Sequence, residues 1–326
     1  MASTTRPGTR RQPRLLRRPR QFGVVAFLFA VSAAACSTEL VPPVTEIVAP
    51  AAVGRFVTPT NAGPEHPVRL AIGDDGTVFA SDPRINTVIG YRDGRKVVEL
   101  IDLDGPLGLA VKGNLLFVGN SGRHDVEVYD LASQSYVGVL GAGVAEFSLP
   151  NAIAVAPDGA VYVVDSREDL VKVYAPDRTR SATLGGTGAG NGQLRYPIAV
   201  AVDARRVVVG ERANHRVQLF DRKGQWLRTL GGRPDLSAAA LADMRGKFTS
   251  VAGVALKGDD IYVLDAAHGH VQRLDSAGTS TGFFGQMGDC RACSGLALDV
   301  AIKPDGTLLL SDPDHRRWVT PDEVMP

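Results

Sequence analysis

The strongest constraint on the fold is a repeat of about 45 residues that fills the chain after its N-terminal region. Each copy contains an alternating apolar strand, a Gly/Asp turn, a second apolar strand that ends in an acidic or amide residue, a polar loop and a third strand. Six segments share this register: Val68–Tyr91, Leu107–Tyr129, Asn151–Tyr174, Ile198–Phe220, Ala252–Leu274 and Leu296–Thr320. The residues that end the second strand are Asp82, Asn120, Asp165, Glu211, Asp265 and Asp312. Such a period indicates copies of one small unit packed side by side.

A fourth strand follows the third in the first five copies. These strands are Lys96–Ile101, Ser135–Leu140, Ser181–Leu184, Gln225–Leu230 and Thr281–Phe284. Four short antiparallel strands per copy, with no room for long helices, predict an all-β fold: a six-bladed β-propeller of four-stranded antiparallel blades. The sixth copy ends at Pro326 without a fourth strand. We therefore expect an N-terminal strand within Gly54–Thr58 to complete the last blade and close the ring.

The copies resemble NHL repeats, in which a Gly-rich approach and a Pro precede an apolar strand, an acidic strand end and an Asn-His-Arg loop. The fourth copy matches this pattern most fully, at Gly188, Gly190, Gly192, Gln193, Pro197, Ala199, Val200, Glu211, Asn214, His215, Arg216, Val217 and Phe220. The resemblance covers roughly residues 64–320 and implies an NHL-like six-bladed propeller. It implies little about function, because propellers of this kind serve as binding platforms, as sensor domains and occasionally as enzymes.

The N-terminal residues have the layout of a secretory signal peptide. Residues 1–20 contain seven arginines and no acidic residue, and they are followed by the mostly apolar run Gln21–Ala35. This run is shorter than the roughly 20 residues that a spanning helix needs. Ala33-Ala34-Ala35-Cys36 also resembles a bacterial lipobox, which implies lipid attachment at Cys36. Because the lipobox usually has a large aliphatic residue at the position of Ala33, ordinary cleavage after Ala35 is the alternative.

These features predict three parts: a signal peptide at residues 1–35, a lipid-anchored tether at 36–53 and the propeller at 54–326. The tether is rich in Pro, Ala, Thr and Val, which suits an extended segment. We therefore expect an exported lipoprotein, anchored to a membrane on the periplasmic or extracellular face of the cell envelope.

The charge distribution argues against nucleic acid as a partner. The whole chain has 36 basic and 35 acidic residues, and without residues 1–20 the counts are 29 and 35, a formal charge near −6. A protein that binds the phosphate backbone needs a basic surface. No nucleic-acid partner is expected.

One face of the propeller is predicted to be rich in His and Arg, because these residues recur in or beside loops that emerge together. The candidate binding residues are His66, Arg123, His124, Arg167, His215, Arg216, His268, His270, His315 and Arg316. One interpretation is a docking or anion-binding surface that gains charge as pH falls. The other is that these side chains pair with the acids at the strand ends and hold adjacent blades together.

The remaining cysteines form a Cys-x-x-Cys pair, Cys290 and Cys293, in the loop that enters the sixth copy. Ser294 follows the second cysteine where a c-type haem would need His, and an all-β repeat does not offer the helix N-terminus of a thioredoxin-like pair. In an exported protein the interpretation is a small structural disulfide.

Metal-dependent chemistry has only weak candidates. The zinc lyases that resemble NHL proteins carry histidines at the starts of first strands, and the corresponding positions here are Val68, Leu107, Asn151 and Leu298. Calcium-dependent hydrolases among six-bladed propellers use Glu, Asn and Asp around the channel, for which Asn151 and Asp299 are the candidates. Two such residues are fewer than the six to eight oxygen ligands that calcium takes.

The leading hypothesis is therefore a cell-envelope lipoprotein whose propeller is a non-catalytic platform for a protein or peptide partner, with no catalytic residue and no cofactor. The alternative is a hydrolase or lyase with a bound Ca²⁺ or Zn²⁺ at the channel mouth.

Overall fold

The computed structural model describes residues 53–142, 145–234, 244–286 and 294–324. The predicted signal peptide, Cys36 and the pair Cys290 and Cys293 lie outside the described residues. Residues 36–52 of the predicted tether lie outside them as well.

The described residues form small antiparallel sheets, each of which contains one copy of the repeat. The first strands are β2 (Arg69–Ile72), β6 (Pro106–Lys112), β10 (Pro150–Val155), β14 (Pro197–Val202), β18 (Val251–Lys257) and β22 (Val300–Ile302). The second strands are β3 (Val78–Asp82), β7 (Leu115–Asn120), β11 (Val161–Asp165), β15 (Arg206–Glu211), β19 (Asp260–Asp265) and β23 (Leu308–Asp312). The first strands of neighbouring sheets pack against one another around a central axis.

The outer positions of the sheets are filled by the remaining strands. The third strands are β4 (Thr87–Arg92), β8 (Asp125–Asp130), β12 (Leu170–Tyr174), β16 (Arg216–Asp221), β20 (His270–Leu274) and β24 (Arg317–Val319). The fourth strands are β5 (Arg95–Ile101), β9 (Ser135–Val139), β13 (Arg180–Gly185), β17 (Trp226–Gly231) and β21 (Ser280–Phe284). Two short strands, β1 (Arg55–Phe56) and β25 (Glu323–Val324), lie near the ends of the described chain. The six-bladed β-propeller predicted from the repeat is confirmed.

The segment predicted to close the ring, Gly54–Thr58, does not complete blade six. β1 lies within the expected segment Gly54–Thr58, but it pairs with β5 and becomes a fifth strand of blade one. β25 in turn pairs with β21 at the outer edge of blade five. In the described ranges, blade six therefore contains only β22, β23 and β24. The side-chain pattern of residues 54–58 suits a strand at the outer edge of any blade. The sequence therefore could not identify the blade that this segment joins.

The core of the protein lies between the blades rather than within them. Each sheet presents apolar side chains on both faces, so almost every residue of a second strand is buried, as in β3, β11 and β15. Six apolar clusters result, one at each junction of neighbouring blades. The β-branched and aromatic residues of the repeat suit this arrangement, because they pack well on a pleated surface buried from both sides.

Within the described residues, no helix is long and apolar enough to cross a membrane.

Substitution of Gly119 tests how tightly neighbouring blades are packed. A Cβ atom at this position in β7 would lie 2.6 Å from the carbonyl oxygen of Pro150 in the next blade. Because that oxygen belongs to the backbone of β10 and cannot move aside, we expect Gly119→Ala to lower the free energy of unfolding by about 1–3 kcal/mol in urea denaturation. Gly63→Ala is the matched control, since a Cβ atom there meets nothing within 4 Å. Equal stabilities of the two variants would contradict the prediction.

Candidate functional site

The upper face of the propeller is the face that carries the loops between second and third strands and the loops that lead into first strands. The predicted His and Arg residues all lie in these loops or at the first residue of a third strand. The structure therefore brings the ten candidates to the loops of one face. What each side chain contacts differs from residue to residue.

The polar residue at the end of each second strand is fully buried and holds the loop that enters its own blade. Asp82 accepts hydrogen bonds from the backbone N–H groups of Glu65 and His66, at 2.6 and 2.7 Å. The same contacts recur in the other blades, from Ser148 and Leu149 to Asp165, from Thr249 and Ser250 to Asp265, from Arg195 to Glu211, from Gly295 to Asp312 and from Asp104 to Asn120. The strand-end residues are thus structural elements of the repeat.

Several of the candidate side chains contact these buried acids. Arg216 donates to Glu211 at 2.6 Å and also to three carbonyl oxygens of the loop that enters blade four. His268 lies 3.3 Å from Asp265, and His315 lies 2.9 Å from Asp312. Arg123 instead binds Glu127 at 2.8 Å. For these four side chains the contacts support the interpretation in which the cations stabilise the blades.

His124 and His215 connect adjacent blades. The Nδ1 atom of His124 lies 3.2 Å from the carbonyl oxygen of Ser148, and that of His215 lies 2.7 Å from the carbonyl oxygen of Thr249. A carbonyl oxygen can only accept, so Nδ1 carries the proton in both rings. Each histidine therefore holds the loop that enters the next blade.

The side chains that remain exposed on the upper face are partly basic and partly apolar. Arg167 and Arg316 are exposed, whereas His66 is half-buried. Exposed large apolar residues also lie in the upper loops: Ile85, Tyr196 and Leu296. The upper loops of the described residues therefore expose arginine, tyrosine and aliphatic side chains.

Tyr196 has an unusual backbone conformation for a bulky residue. Its φ angle is 47°, in the left-handed region, and its backbone N–H donates to Asp169 Oδ1 at 2.6 Å. It also precedes Pro197, which further restricts the residue before it. The side chain is nevertheless 38% exposed. An exposed aromatic residue with a strained backbone is a candidate for a functional position.

The axis of the propeller is closed by one arginine, Arg69 of β2. Its side chain is buried, and all five N–H groups of the guanidinium have acceptors. The acceptors are the carbonyl oxygens of Asn151, Ile198, Ala252 and Leu298 and the Oδ1 atom of Asn151, at 2.7–3.1 Å. These residues belong to blades three to six, so one side chain from blade one connects it to four others.

Space for the guanidinium is provided by small residues. The positions equivalent to Arg69 in the other first strands are Gly108, Ala152, Ala199, Gly253 and Asp299. Asp299 approaches Arg69 to 3.5 Å and accepts the backbone N–H of Leu70. Burial lowers the pKa of Arg69, and the neighbouring Asp299 opposes this shift. Burial likewise raises the pKa of Asp299, against the effect of Arg69.

The two metal candidates, Asn151 and Asp299, do lie together at the axis, but their oxygen atoms face Arg69. The carbonyl and side-chain oxygens of Asn151 both accept from the guanidinium. A divalent cation placed among these oxygens would be repelled by the guanidinium charge, so the donor set does not fit Ca²⁺ or Zn²⁺. Among the described residues, no group of three or more His, Cys, Asp or Glu is arranged to hold a metal ion.

The axial arginine was missed by reasoning from the sequence. The sequence does distinguish it, since Arg69 is the one large basic residue among the six equivalent first-strand positions, and the other five hold Gly, Ala or Asp. The pairing of a strand-one arginine in the first copy with an aspartate in the sixth copy also follows from ring closure, which brings these two blades together.

His270 is the most deeply buried of the candidates. It is 2% exposed, its ring packs edge-on against Phe283, and its Nε2 atom has no hydrogen-bond partner among the described residues. Burial lowers the pKa of His270 to about 4, with Asp265 opposing and His268 reinforcing the shift. A side chain in this position cannot contact a partner on the upper face.

Comparison with curated proteins gives short matches. The chain is 46% identical over 46 residues to the protein lin-41 of Caenorhabditis elegans, and 27% identical over 97 residues to the protein brain tumor of Drosophila melanogaster. The matched segments cover 14% and 29% of this chain but only 4% and 9% of those relatives. No protein-family model matches the chain.

Solved structures share the fold at low sequence identity. A streptogramin B lyase superposes with a TM-score of 0.57 at 10% identity, over 80% of this chain and 95% of the lyase chain. A gluconolactonase from Xanthomonas campestris gives 0.56 at 17% identity, over 77% and 84% of the two chains. A chain of the nidogen/laminin complex gives 0.53 at 19% identity, over 67% and 79%. These likenesses show the propeller fold.

Arg69→Ala tests the axial contacts. The variant leaves four carbonyl groups and the buried Asp299 carboxylate without the cation, so we expect the free energy of unfolding to fall by roughly 3–5 kcal/mol. Arg69→Lys should recover little, because an ammonium group cannot reproduce the five-donor geometry. Arg92→Ala removes an exposed arginine paired with Asp75 and should change stability by no more than about 0.5 kcal/mol. Similar losses for Arg69→Ala and Arg92→Ala in chemical denaturation would refute the assigned role.

His270 should make stability depend on pH. Because its pKa is about 4 in the folded protein, against 6.5 for an ordinary histidine, the unfolded chain binds more protons between these values. The free energy of unfolding should therefore rise with pH from about 4 to 6.5, by about 3 kcal/mol from this group.

His270→Leu isolates that contribution, since Leu170 occupies the equivalent position in blade three. Burial raises the pKa of Asp125 to about 6, which gives the opposite slope in the same range, so the difference between wild type and variant is the quantity to measure. Parallel stability curves for the two proteins would show that His270 does not titrate as expected.

Proposed function

We propose, from the premise that the chain is a six-bladed β-propeller of NHL-type repeats, that it is a lipid-anchored binding platform of the cell envelope. The upper face would engage a protein or peptide partner, with Tyr196 at its centre and the exposed arginines Arg167 and Arg316 around it. The lipid anchor at Cys36 would hold the propeller at the membrane surface. No catalytic residue and no cofactor belong to this proposal.

The observation that carries the proposal is the conformation of Tyr196. A tyrosine in the left-handed region before a proline is strained on two counts, and glycine would remove the larger part of that strain. Because the residue is exposed, we attribute the presence of tyrosine at this strained position to what the ring binds. Tyrosine is also among the residues enriched at the centres of protein interfaces.

The contacts at the axis argue against the metal-dependent alternative. In a metal-dependent hydrolase or lyase, polar groups at the channel mouth would have to reach a cation or a substrate. Here the inward-facing carbonyl groups, Asn151 and Asp299 are engaged by Arg69. The likeness to a lyase and a gluconolactonase stays at the level of fold, and no contact in the described residues favours the enzymatic alternative.

A protein partner is also compatible with the comparisons. One of the structural neighbours, the chain from the nidogen/laminin complex, comes from an assembly of two proteins. Its likeness to this chain is limited to the fold, so the identity of the partner has to come from experiment.

Tyr196→Gly separates binding from folding. We expect the variant to be more stable than wild type by about 0.5–1 kcal/mol, because the left-handed backbone no longer carries a Cβ atom. A triple variant that also carries Arg167→Ala and Arg316→Ala should nevertheless capture less partner from an envelope extract. Cross-linking mass spectrometry with the purified protein would measure the captured partner.

The matched control combines Leu227→Ala, Arg92→Ala and Arg95→Ala, which remove one exposed apolar residue and two exposed arginines away from the upper face. Equal capture by the two triple variants would place the binding surface elsewhere. A loss of capture together with a loss of stability would show that Tyr196 supports the fold instead.

The anchor has its own test. Intact-mass analysis of protein extracted from membranes should give an acylated chain that begins at Cys36. Cys36→Ser should shift the protein from the membrane to the soluble fraction. An unmodified chain, or an unchanged distribution of the Cys36→Ser variant, would contradict the lipoprotein assignment.

A further inference from the structure

A cleft separates blades two and three at the lower face, which carries the turns between first and second strands and between third and fourth strands. The cleft has a volume of about 340 Å³, within the range of small-molecule sites. Its apolar lining includes Leu115 and Phe117 of blade two and Val155 of blade three. The charged residues among those that line it, Lys112 and Arg178, are both basic. An apolar cleft with two cations suits an anion that has an apolar body.

The neighbouring junction, between blades three and four, shows how the fold fills the equivalent place. Arg222, in the turn between β16 and β17, lies over the ring of Tyr162, with 5.5 Å between the guanidinium carbon and the ring centroid. Its Nε atom donates to the Tyr162 hydroxyl at 3.0 Å, and its Nη2 atom lies 2.8 Å from the carboxylate of Asp158. This junction therefore contains its own aromatic ring, its own planar charged group and its own counter-ion.

The junction between blades two and three keeps the aromatic ring but replaces the other groups. Phe117 is the equivalent of Tyr162, because each lies three residues before the end of its second strand and opposite a valine of the third strand. Pro176 is the equivalent of Arg222, as the hydrogen bonds of the two turns show. Proline is shorter than arginine and has no charge, so it leaves the space beside Phe117 that forms the cleft.

The counter-ion is reversed as well. In blade three the turn after the first strand holds Asp158, whereas in blade two the first strand ends at Lys112. Among the described residues, neither Lys112 nor Arg178 pairs with a carboxylate. The carboxylate of Asp177, next to Arg178, accepts from the backbone N–H and the hydroxyl of Thr179 within its own turn. The cleft therefore has two cations whose countercharge must come from a ligand or from solvent.

The backbone of Arg178 gives a second, independent argument. The turns between third and fourth strands in blades three, four and five have the same hydrogen bonds. At one position of this turn, blades four and five have Gly224 and Gly278, with φ angles of 87° and 89°, whereas blade three has Arg178 with φ 71°. Glycine adopts this left-handed conformation without strain, and arginine does not. The guanidinium donates to the carbonyl oxygen of Val137 at 3.2 Å, which holds it beside the cleft. We attribute the arginine at this position to the charge that it brings there.

We propose that this cleft binds a small aromatic carboxylate. The ligand ring would pack against Phe117 and Pro176, in the place that the planar guanidinium of Arg222 takes between blades three and four, and its carboxylate would lie at Lys112 and Arg178. Charge-assisted hydrogen bonds from these two cations select an anionic head group over a neutral or positive one. The site lies on the lower face and does not depend on the upper-face platform, so failure of one assignment leaves the other intact.

Three probes with the same ring and different head groups test the selectivity. In isothermal titration calorimetry with the full chain, phenylpropionate should bind saturably. Phenylpropanol, which has no charge, should bind more weakly by about tenfold or more, and phenylpropylamine should bind more weakly still, because its ammonium group is repelled by both cations.

Two sets of substitutions locate the site. Lys112→Gln combined with Arg178→Gly should weaken phenylpropionate binding by about tenfold or more and leave phenylpropanol binding unchanged, since only the head-group contacts are lost. Arg178→Gly also relieves the left-handed backbone, so this variant should fold at least as stably as wild type. The matched control, Lys223→Gln with Arg95→Gln, removes the same charge from exposed positions that do not line the cleft.

A third variant fills the cleft. Lys112→Asp combined with Pro176→Arg places in this junction the acid and the arginine that Asp158 and Arg222 provide in the next one. The new ion pair should occupy the space beside Phe117 and abolish binding of phenylpropionate and phenylpropanol alike, while the melting temperature stays at or above that of wild type.

Each contrary result has a definite meaning. No binding of phenylpropionate at millimolar concentration would overturn the proposal, because the cleft would then be closed to ligands, for example by another part of the chain. Equal affinities for phenylpropionate and phenylpropanol would overturn it by showing that the cations do not act on the head group. An equal loss in the Lys223→Gln, Arg95→Gln control would reduce the effect to overall charge, and unchanged binding in the folded Lys112→Asp, Pro176→Arg variant would place the ligand elsewhere. Either of these results would also overturn the assignment.

Discussion

Each blade of this propeller depends on one buried side chain at the end of its second strand. The carboxylate or amide accepts hydrogen bonds from N–H groups of the loop that enters the same blade, and these bonds fix the first strand relative to the second. Backbone N–H groups in a loop need acceptors when the loop is buried, and the strand-end residues supply them. This requirement explains why an acidic or amide residue recurs at that position in a protein whose other residues vary.

The axis requires a different set of contacts, because carbonyl groups from four blades face inward there. Arg69 supplies the donors for four of the blades and brings a positive charge into a place where oxygen atoms accumulate. Small residues at the equivalent positions, such as Gly108 and Gly253, leave the space. In Gly253 an added Cβ atom would lie 2.8 Å from the backbone nitrogen of Val300, which shows how little room remains.

Much of the fold could be predicted from the sequence, because the repeat reports the same structural demands six times. The propeller, the blade boundaries and the common face of the histidine and arginine loops follow from that repetition. The closure does not, since β1 is two residues long and its pairing depends on the path of the chain around blade one. The repeat pattern also could not predict which contacts each Arg or His side chain makes. Arg216 and Arg316 are both loop arginines in the sequence, yet one is buried against Glu211 and the other is exposed.

The junction between the first and last blades has a mechanical consequence for the ring. In the described residues, blades six and one are held together by side-chain packing, for example of Trp318 on Tyr91, and by the axial contact of Arg69 with Asp299. These contacts close the ring, because blades one and six are the first and last along the chain and no loop among the described residues joins them directly. A ring opened there becomes a short linear array of sheets, in which each blade is supported only by its sequence neighbours.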